Sequence, residues 1–236
     1  MFDNASKQRE DFLNHLADKL QYQRHSLPQT PFSPENKVNL ETLQGLSQDE
    51  LLEVAKKQAK DIDTDLKVVT KDTLAEVLQE VIQAKGGGKL VIPQDERFKQ
   101  HQLDFITNEV QTYTWQAGEE NRQANIKAAN EANVGIAFAE YLLAESATVV
   151  LETTPTHGRS MHFLPQHFIT IVKKSQIVPR STQATQDYNR KVLNGEKIGS
   201  NLSFISGPSN SGDIEMILVV GVHGPLSMTY LVIDDE

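Results

Sequence analysis

The residues best suited to chemistry cluster between Ile205 and Pro225. Ser206, Gly207 and Ser209 open the stretch in a Ser-Gly-Pro-Ser turn, and Asp213 and Glu215 follow. An apolar run, Met216 to Val220, leads into a second glycine turn holding Val222, His223 and Gly224. Ser206 or Ser209 with His223 and Asp213 supplies the residue types of a hydrolytic triad, in which a hydroxyl attacks, an imidazole takes its proton and a carboxylate orients the imidazole. No Gly-x-Ser-x-Gly elbow presents either serine, and Ser-Gly-Pro-Ser is a turn former first, so hydrolysis is not the expected chemistry. His223 lies between Gly221 and Gly224, which let a ligand or a backbone come close. Its free imidazole titrates near neutrality, which suits proton handling or ligand contact. The competing expectation is a histidine that caps a tight turn.

A second group lies upstream. Glu145, Ser146 and Thr148 enter a strand, where Glu145 and Thr148 could hydrogen-bond a polar ligand or terminate a turn. Arg159 is a candidate carboxylate or phosphate anchor, because a guanidinium grips two oxygens at once. Around it His157, His162 and His167 recur every fifth residue. That spacing sets successive rings on opposite faces of a strand and well apart around a helix. Zinc sites more often use spacings of three or four, so no metal site is expected, and each histidine is expected to be solvated or bonded to backbone. Gly86, Gly87 and Gly88 invite a phosphate-loop reading, but no Gly-Lys-Ser/Thr follows and a strand, not a helix, comes next.

The elements that must position these residues alternate. Residues 1–25 read as an amphipathic helix, with Phe12, Leu13, Leu16, Ala17 and Leu20 on one stripe. Pro28, Pro31 and Pro34 then favour extended chain. Ser47 and Glu50 form a capping box that starts a helix reaching about Lys60. The expectation is a helical arm over 1–60 and one α/β domain over 61–236. Strands are expected at Leu66–Val69, Lys89–Pro93, Val110–Trp115, Val134–Phe138, Thr148–Glu152, Phe168–Val172, Met216–Val220 and Met228–Ile233. Helices are expected at Asp72–Lys85, Glu119–Asn133 and Thr182–Leu193, with a short helical turn at Glu140–Glu145. Met216–Val220, β-branched and bounded by glycine turns, is expected to be a buried strand that organises the rest. The alternation predicts an α/β fold with a mainly parallel or mixed sheet flanked by helices.

Composition narrows the classes. With 236 residues, 38% of them hydrophobic, the chain can bury a large core. A net charge of −9 disfavours nucleic acid and anionic membrane surfaces as partners. No apolar run approaches the roughly 20 residues of a membrane helix. The first residues, Met1 to Asp11, carry no signal-peptide core. The sequence contains no cysteine, which fits a cytoplasmic location. It also excludes a disulfide, a catalytic thiol and an iron–sulfur cluster on this chain's own thiolates.

Taken together, these motifs resemble the lactate-utilisation protein C family, whose unit is the LUD domain. The resemblance rests on Ala144 to Leu151, Arg159-Ser160 through Leu164-Pro165 and His167, Ile177-Val178-Pro179, and Ile205 to Ser209 with Asp213-Ile214-Glu215 and Gly221 to Pro225. It spans roughly residues 66–234. Where the family often has glycine after Glu-Ser/Thr this chain has Ala147, and where it often has Ser-Arg-Thr-Ala-Asp this chain has Ser209-Asn210-Ser211-Gly212-Asp213. No anion-binding role is therefore carried to Asn210. The resemblance implies a fold like the sugar-phosphate isomerase and CoA-transferase group. It further implies a place in a three-protein system oxidising L-lactate to pyruvate, with two iron–sulfur proteins as partners and the clusters on those partners. On this reading its direct role is substrate positioning, cofactor binding or assembly; no cofactor is assigned to this chain, and a small anionic substrate is a candidate ligand. His223 and Glu145 are the catalytic candidates; Arg159, Thr148, Ser206, Gly207, Ser209, Asp213 and Gly224 are the ligand-binding candidates. A free-standing enzyme for a small phosphorylated or CoA-linked substrate, and a pure interaction module, are the alternatives. Purified protein should carry no iron and show no cluster absorbance; a stoichiometric iron–sulfur chromophore on the isolated chain would contradict the cysteine argument.

Overall fold

The computed structural model describes residues 2–24, 35–107, 111–214 and 217–235. The three prolines at 28, 31 and 34 lie outside the described residues, as do Glu215 and Met216. The chain divides into two compact units, Met1–Lys37 and Val38–Glu236. The first is built on helix α1 (Phe2–Leu20). Arg24 folds back along it, reaching Glu10 at 2.8 Å and Asn14 Oδ1 at 2.6 Å.

The second unit begins with α2 (Val38–Glu41) and α3 (Gln48–Asp61). As the sequence predicts, Ser47 and Glu50 close a capping box at the start of α3. Then come β1 (Thr64–Val69), α4 (Leu74–Ala84), β2 (Leu90–Ile92), α5 (Arg97–Gln100), α6 (Asp104–Thr107), β3 (Thr112–Thr114), α7 (Arg122–Glu131) and β4 (Val134–Phe138). The rest is β5 (Tyr141–Leu143), β6 (Thr148–Thr153), β7 (His167–Lys173), β8 (Ile177–Val178), α8 (Ser181–Leu193), β9 (Asn201–Ile205), β10 (Asn210–Ile214), β11 (Ile217–Val220) and β12 (Ser227–Ile233).

Six strands form a wholly parallel sheet in the order β1-β12-β7-β4-β2-β3. Its central strands are apolar on both faces, as a sheet covered on both sides requires. On one face Leu90, Ile92, Val134, Ile136, Ile169 and Ile171 meet α4, α5 and α6. On the other, Ala137, Phe168, Val172, Tyr230 and Val232 meet α3 and a second sheet of order β8-β5-β6-β9. Val91 faces α7 on that same side. Connections running toward β3 cross the first face and those running back cross the second, the pattern of a doubly wound sheet. The triple glycine is a turn from α4 into β2: all three residues have positive φ, and Asn133 donates to the carbonyls of Lys85 and Gly87 at 2.8 and 2.7 Å. Among the described residues no helix is long and apolar enough to cross a membrane.

Three expectations are corrected. Glu140–Glu145 is not a helical turn: Tyr141–Leu143 form β5, paired on one side with β6 and on the other with β8. The tight β5–β6 turn needs a left-handed residue, and Ala147 supplies it at φ 47°. Met216–Val220 is not a buried sheet strand: β11 pairs with β10 alone, and Val220 is exposed. The expected strand at Met228–Ile233 is β12, and it feeds both cores through Met228, Tyr230 and Val232 on one face and Leu231 and Ile233 on the other. The third correction concerns the boundary at residue 60. Leu51, Leu52, Ala55 and Ala59 of α3 are buried in the core under the second sheet. The buried Lys174 joins Asp49 of α3 at 2.6 Å and Asp234 after β12 at 3.2 Å. A polar helix becomes a core element because its one apolar stripe has a sheet face to cover.

This gives a test by truncation. Residues 38–236 should retain a single cooperative melt, whereas residues 61–236 should not. Removing α3 takes away the burial of its two leucines, about 2 kcal/mol each, and uncovers the sheet beneath them, out of a total stability of about 5–15 kcal/mol. A cooperative melt for 61–236 would show α3 to be dispensable.

Candidate functional site

In a doubly wound sheet the crevice opens at the carboxyl ends of neighbouring strands whose connections leave to opposite faces. Here those strands are β2, which continues through α5, and β4, which continues into the second sheet. A cleft of about 330 Å³ lies at this point. Its walls come from the segment after β2 (Pro93–Arg97), from Glu140 after β4, and from Glu152, Thr154, Thr156 and His157 at and beyond the end of β6. A wider cleft of about 550 Å³ at the amino ends of β2 and β3 offers, among the described residues, the Lys89–Glu131 pair as its charged groups.

Arg97 organises the cleft. It reaches Asp95 through Nε at 2.9 Å and Nη2 at 2.7 Å, and Glu140 through Nη1 at 2.9 Å. Its guanidinium lies over the Phe138 ring, 5.1 Å from the centroid. Burial works to depress its pKa, but the bonds to Asp95 and the charge of Glu140 outweigh burial and raise it. Across the cleft, Glu152 accepts from the Gly199 N–H and, at 3.4 Å, from the Tyr188 hydroxyl. Burial, with the charge of Glu152 next, pushes the Tyr188 phenol well up, so it stays a donor. Thr154 and Thr156 hydroxyls meet at 3.2 Å. Among the described residues no group of three or more His, Cys, Asp or Glu is arranged to hold a metal ion.

His157 closes the floor. Its Nε2 lies 2.9 Å from Nε2 of His162, the rings crossing at 84°. Both are buried, at 5% and 1% exposure. This corrects the expectation that each histidine is solvated or backbone-bonded and that a spacing of five keeps rings apart. Neither strand nor regular α-helix joins them: a Thr154–His157 bridge, Gly158 and a 3-10 turn (Arg159–His162) fold the chain back. Gly158 is required there, since a Cβ would stand 1.9 Å from the Trp115 ring.

The residues singled out from sequence lie elsewhere, and in two groups. Thr148 is buried, and its hydroxyl meets Ser146 Oγ at 2.7 Å and Ser206 Oγ at 2.5 Å. Glu145 in the turn before it pairs with Arg180. Gly207 has φ +68°, and a Cβ would come within 2.5 Å of Ile62 O; its N–H donates to Tyr230 Oη at 3.2 Å. In the second group, the β10–β11 hairpin folds Ser209 back onto the turn after β11. Ser209 Oγ accepts from the His223 N–H at 3.2 Å, and Ser209 Cβ would be 3.0 Å from a Cβ on Gly224. The His223 ring is exposed. Arg159 is exposed and makes no ion pair among the described residues; Phe163, four residues on, lies beside Gly224. The Asp213 side chain lies outside what is described. Ser206–Gly207 and Ser209–His223 flank the amino ends of β1 and β12, the edge opposite the cleft: Gly207 abuts Thr64, and Ser209 N–H bonds Pro225 O just before β12.

The sequence matches the LUD domain over residues 52–233. The chain belongs to the LUD domain family. It is similar to the lactate utilization protein C of Macrococcus caseolyticus, 43% identical over 228 residues covering 95% of both chains. It is also similar to that of Geobacillus kaustophilus, 42% identical over 98% of both, and that of Bacillus subtilis, 40% identical over 96% of both. Its fold resembles the crystal structure of a DUF162 family protein from Deinococcus radiodurans, with a TM-score of 0.56 and 15% identity, covering 80% of this chain and 99% of that one.

In this LUD domain the cleft residues Asp95, Arg97, Glu140 and Glu152 are not among the sequence candidates, and His157 is weighed there only as a metal ligand and set aside. The one available signal was Asp95-Glu96-Arg97, a charged run immediately after a strand ending in Pro93. The histidine pair yields a pH test. Burial lowers His157 to about 4 and His162 to about 3 from 6.5. Arg97 near His157, and His157 and Arg159 near His162, lower them further, while Asp95 acts the other way. Folding thus favours the neutral rings. Their stabilisation is complete above the unfolded value of 6.5 and is lost as pH falls toward 4 and 3. The urea midpoint should drop through that window, and His162→Gln should flatten the slope by about one proton. An unchanged slope would mean that His162 does not resist protonation.

Proposed function

We propose that this LUD protein acts in lactate utilisation as the cluster-free member of a system that oxidises L-lactate to pyruvate. The observation that carries the reading is likeness over 95–98% of the chain to relatives named for lactate utilization. Lactate oxidation releases two electrons and two protons, and a chain without cysteine has no thiolates to hold a cluster that would take the electrons. Two iron–sulfur proteins are the partners this reading requires, and the cytoplasm is where the system works. The exposed His223, with Ser209 and Gly224 against its backbone, is the surface assigned to proton handling; Glu145, Thr148, Ser206 and Gly207 shape the ground beside it, and Arg159 is the assigned carboxylate anchor.

Deleting the gene should abolish growth on L-lactate while sparing growth on glucose, and the wild-type gene should restore it. Growth and lactate oxidation at the parental rate in the deletion strain would refute the reading. His223→Ala in the restored strain should cut lactate oxidation by about 10²-fold, the scale of a lost acid–base group. Its melting temperature should barely move, because the Ser209 bond uses the His223 backbone N–H and not the ring. Full activity would leave His223 as a turn residue only.

A further inference from the structure

Two independent features of the β2/β4 cleft define what would fill it. The first is charge. Among the described residues Asp95, Glu96, Glu140 and Glu152 line it with Arg97 as the one cation, and that guanidinium is already shared between Asp95 and Glu140. A crevice lined by one sign of charge concentrates the opposite sign. An incoming carboxylate such as lactate would face four carboxylates and no free cation.

The second is the state of His157. The two Nε2 atoms share one proton, since two facing lone pairs or two facing N–H groups would repel. His162 Nδ1 is sealed in the core with no partner. If it carried hydrogen it would be a buried orphan donor, which folded proteins avoid more strictly than an unfilled acceptor. The proton of the pair therefore sits on His162 Nε2 and is donated to His157 Nε2. Neutral His157 then keeps its hydrogen on Nδ1. That nitrogen has no protein partner among the described residues and, unlike His162 Nδ1, is not sealed away. His157 is nine-tenths buried yet lines the cleft, so its Nδ1–H is a fixed donor open to a ligand that enters there.

We propose that this cleft binds a small organic cation carrying a hydroxyl or carbonyl oxygen, with Glu152 and Glu140 receiving the ammonium group and His157 Nδ1–H donating to the oxygen. His162 acts as a positioning residue that fixes the tautomer. The proposal does not depend on the lactate reading; it implies only that lactate, if this chain binds it, binds elsewhere.

The test uses the full chain with ¹⁵N-labelled histidine and three probes of similar size: 2-aminoethanol, ethylene glycol and L-lactate. At neutral pH the imidazole correlations should show His157 protonated on Nδ1 and His162 on Nε2. 2-Aminoethanol should shift His157 Nδ1 with an apparent Kd at least about tenfold below that of ethylene glycol, and L-lactate at matched ionic strength should not shift it. Glu152→Gln should weaken 2-aminoethanol by about tenfold, with the His157 tautomer unchanged as proof that the site is intact. The reverse tautomer, an equal or stronger response to ethylene glycol or L-lactate, or no response to 2-aminoethanol would each overturn the proposal.

Discussion

β12 is bonded along its whole length between β1 and β7, and much of the molecule depends on that parallel pairing. It is the last strand of the α/β unit and pairs with the first, so the sheet is complete only when that whole unit is present. Its side chains feed both cores: Leu231 and Ile233 pack with the α4 layer, Tyr230 and Val232 with α3 and the second sheet. Tyr230 also carries its polar end across the layer to Gly207, and burial pushes its phenol up to about 12, so it remains a donor and acceptor rather than a charge. Thr229 and Thr170, inside the same sheet, stay fully buried. Both edges of β12 are therefore taken, and among the described residues β11 pairs with β10 alone.

The pairing also sets two edges of different character. At the carboxyl ends, the chain leaves β2 and β4 toward opposite faces, and the gap between the departing segments becomes a cleft. Charged groups collect there because the strands themselves have no room for them; Arg97 holds two carboxylates together and rests on Phe138. At the amino ends, incoming turns rich in glycine and serine pack closely enough that Gly207 has no space for a Cβ and Gly224 only a tight one. The sequence signature of the family lies largely at this amino edge. Two histidines strongly altered by burial, His157 and His162, lie in the segment that forms the floor of the cleft at the other.

Much of the fold was legible in the sequence. Amphipathic periodicity located α4, the Ser47–Glu50 capping box located the start of α3, and apolar runs located β2, β4, β6, β7 and β12. What misled was the assumption that each apolar run in sequence fills a central sheet. Tyr141–Leu143 looked like part of a turn because it is only three residues long, yet pairing on both sides makes it a strand. Polar composition made α3 look like part of an arm, although four small or apolar residues on one stripe suffice to seat it in the core. The candidate site divided the same way. Ser209 and His223 were singled out by residue type, and the hairpin brings them together; His157 and His162 were set aside on spacing arguments that hold only for regular elements.

The sequence by itself determined the alternation of strands and helices, the absence of thiol chemistry, and the family, because these rest on local periodicity, composition and contiguous motifs. Only the tertiary structure decided which strands share a sheet, where the chain divides into compact units, and which charged side chains face one another. Those outcomes depend on pairing between residues tens of positions apart. Asp95, Glu140 and His157 become neighbours because β2 and β4 lie side by side and the segment after β6 returns to them, and no interval along the chain encodes that return.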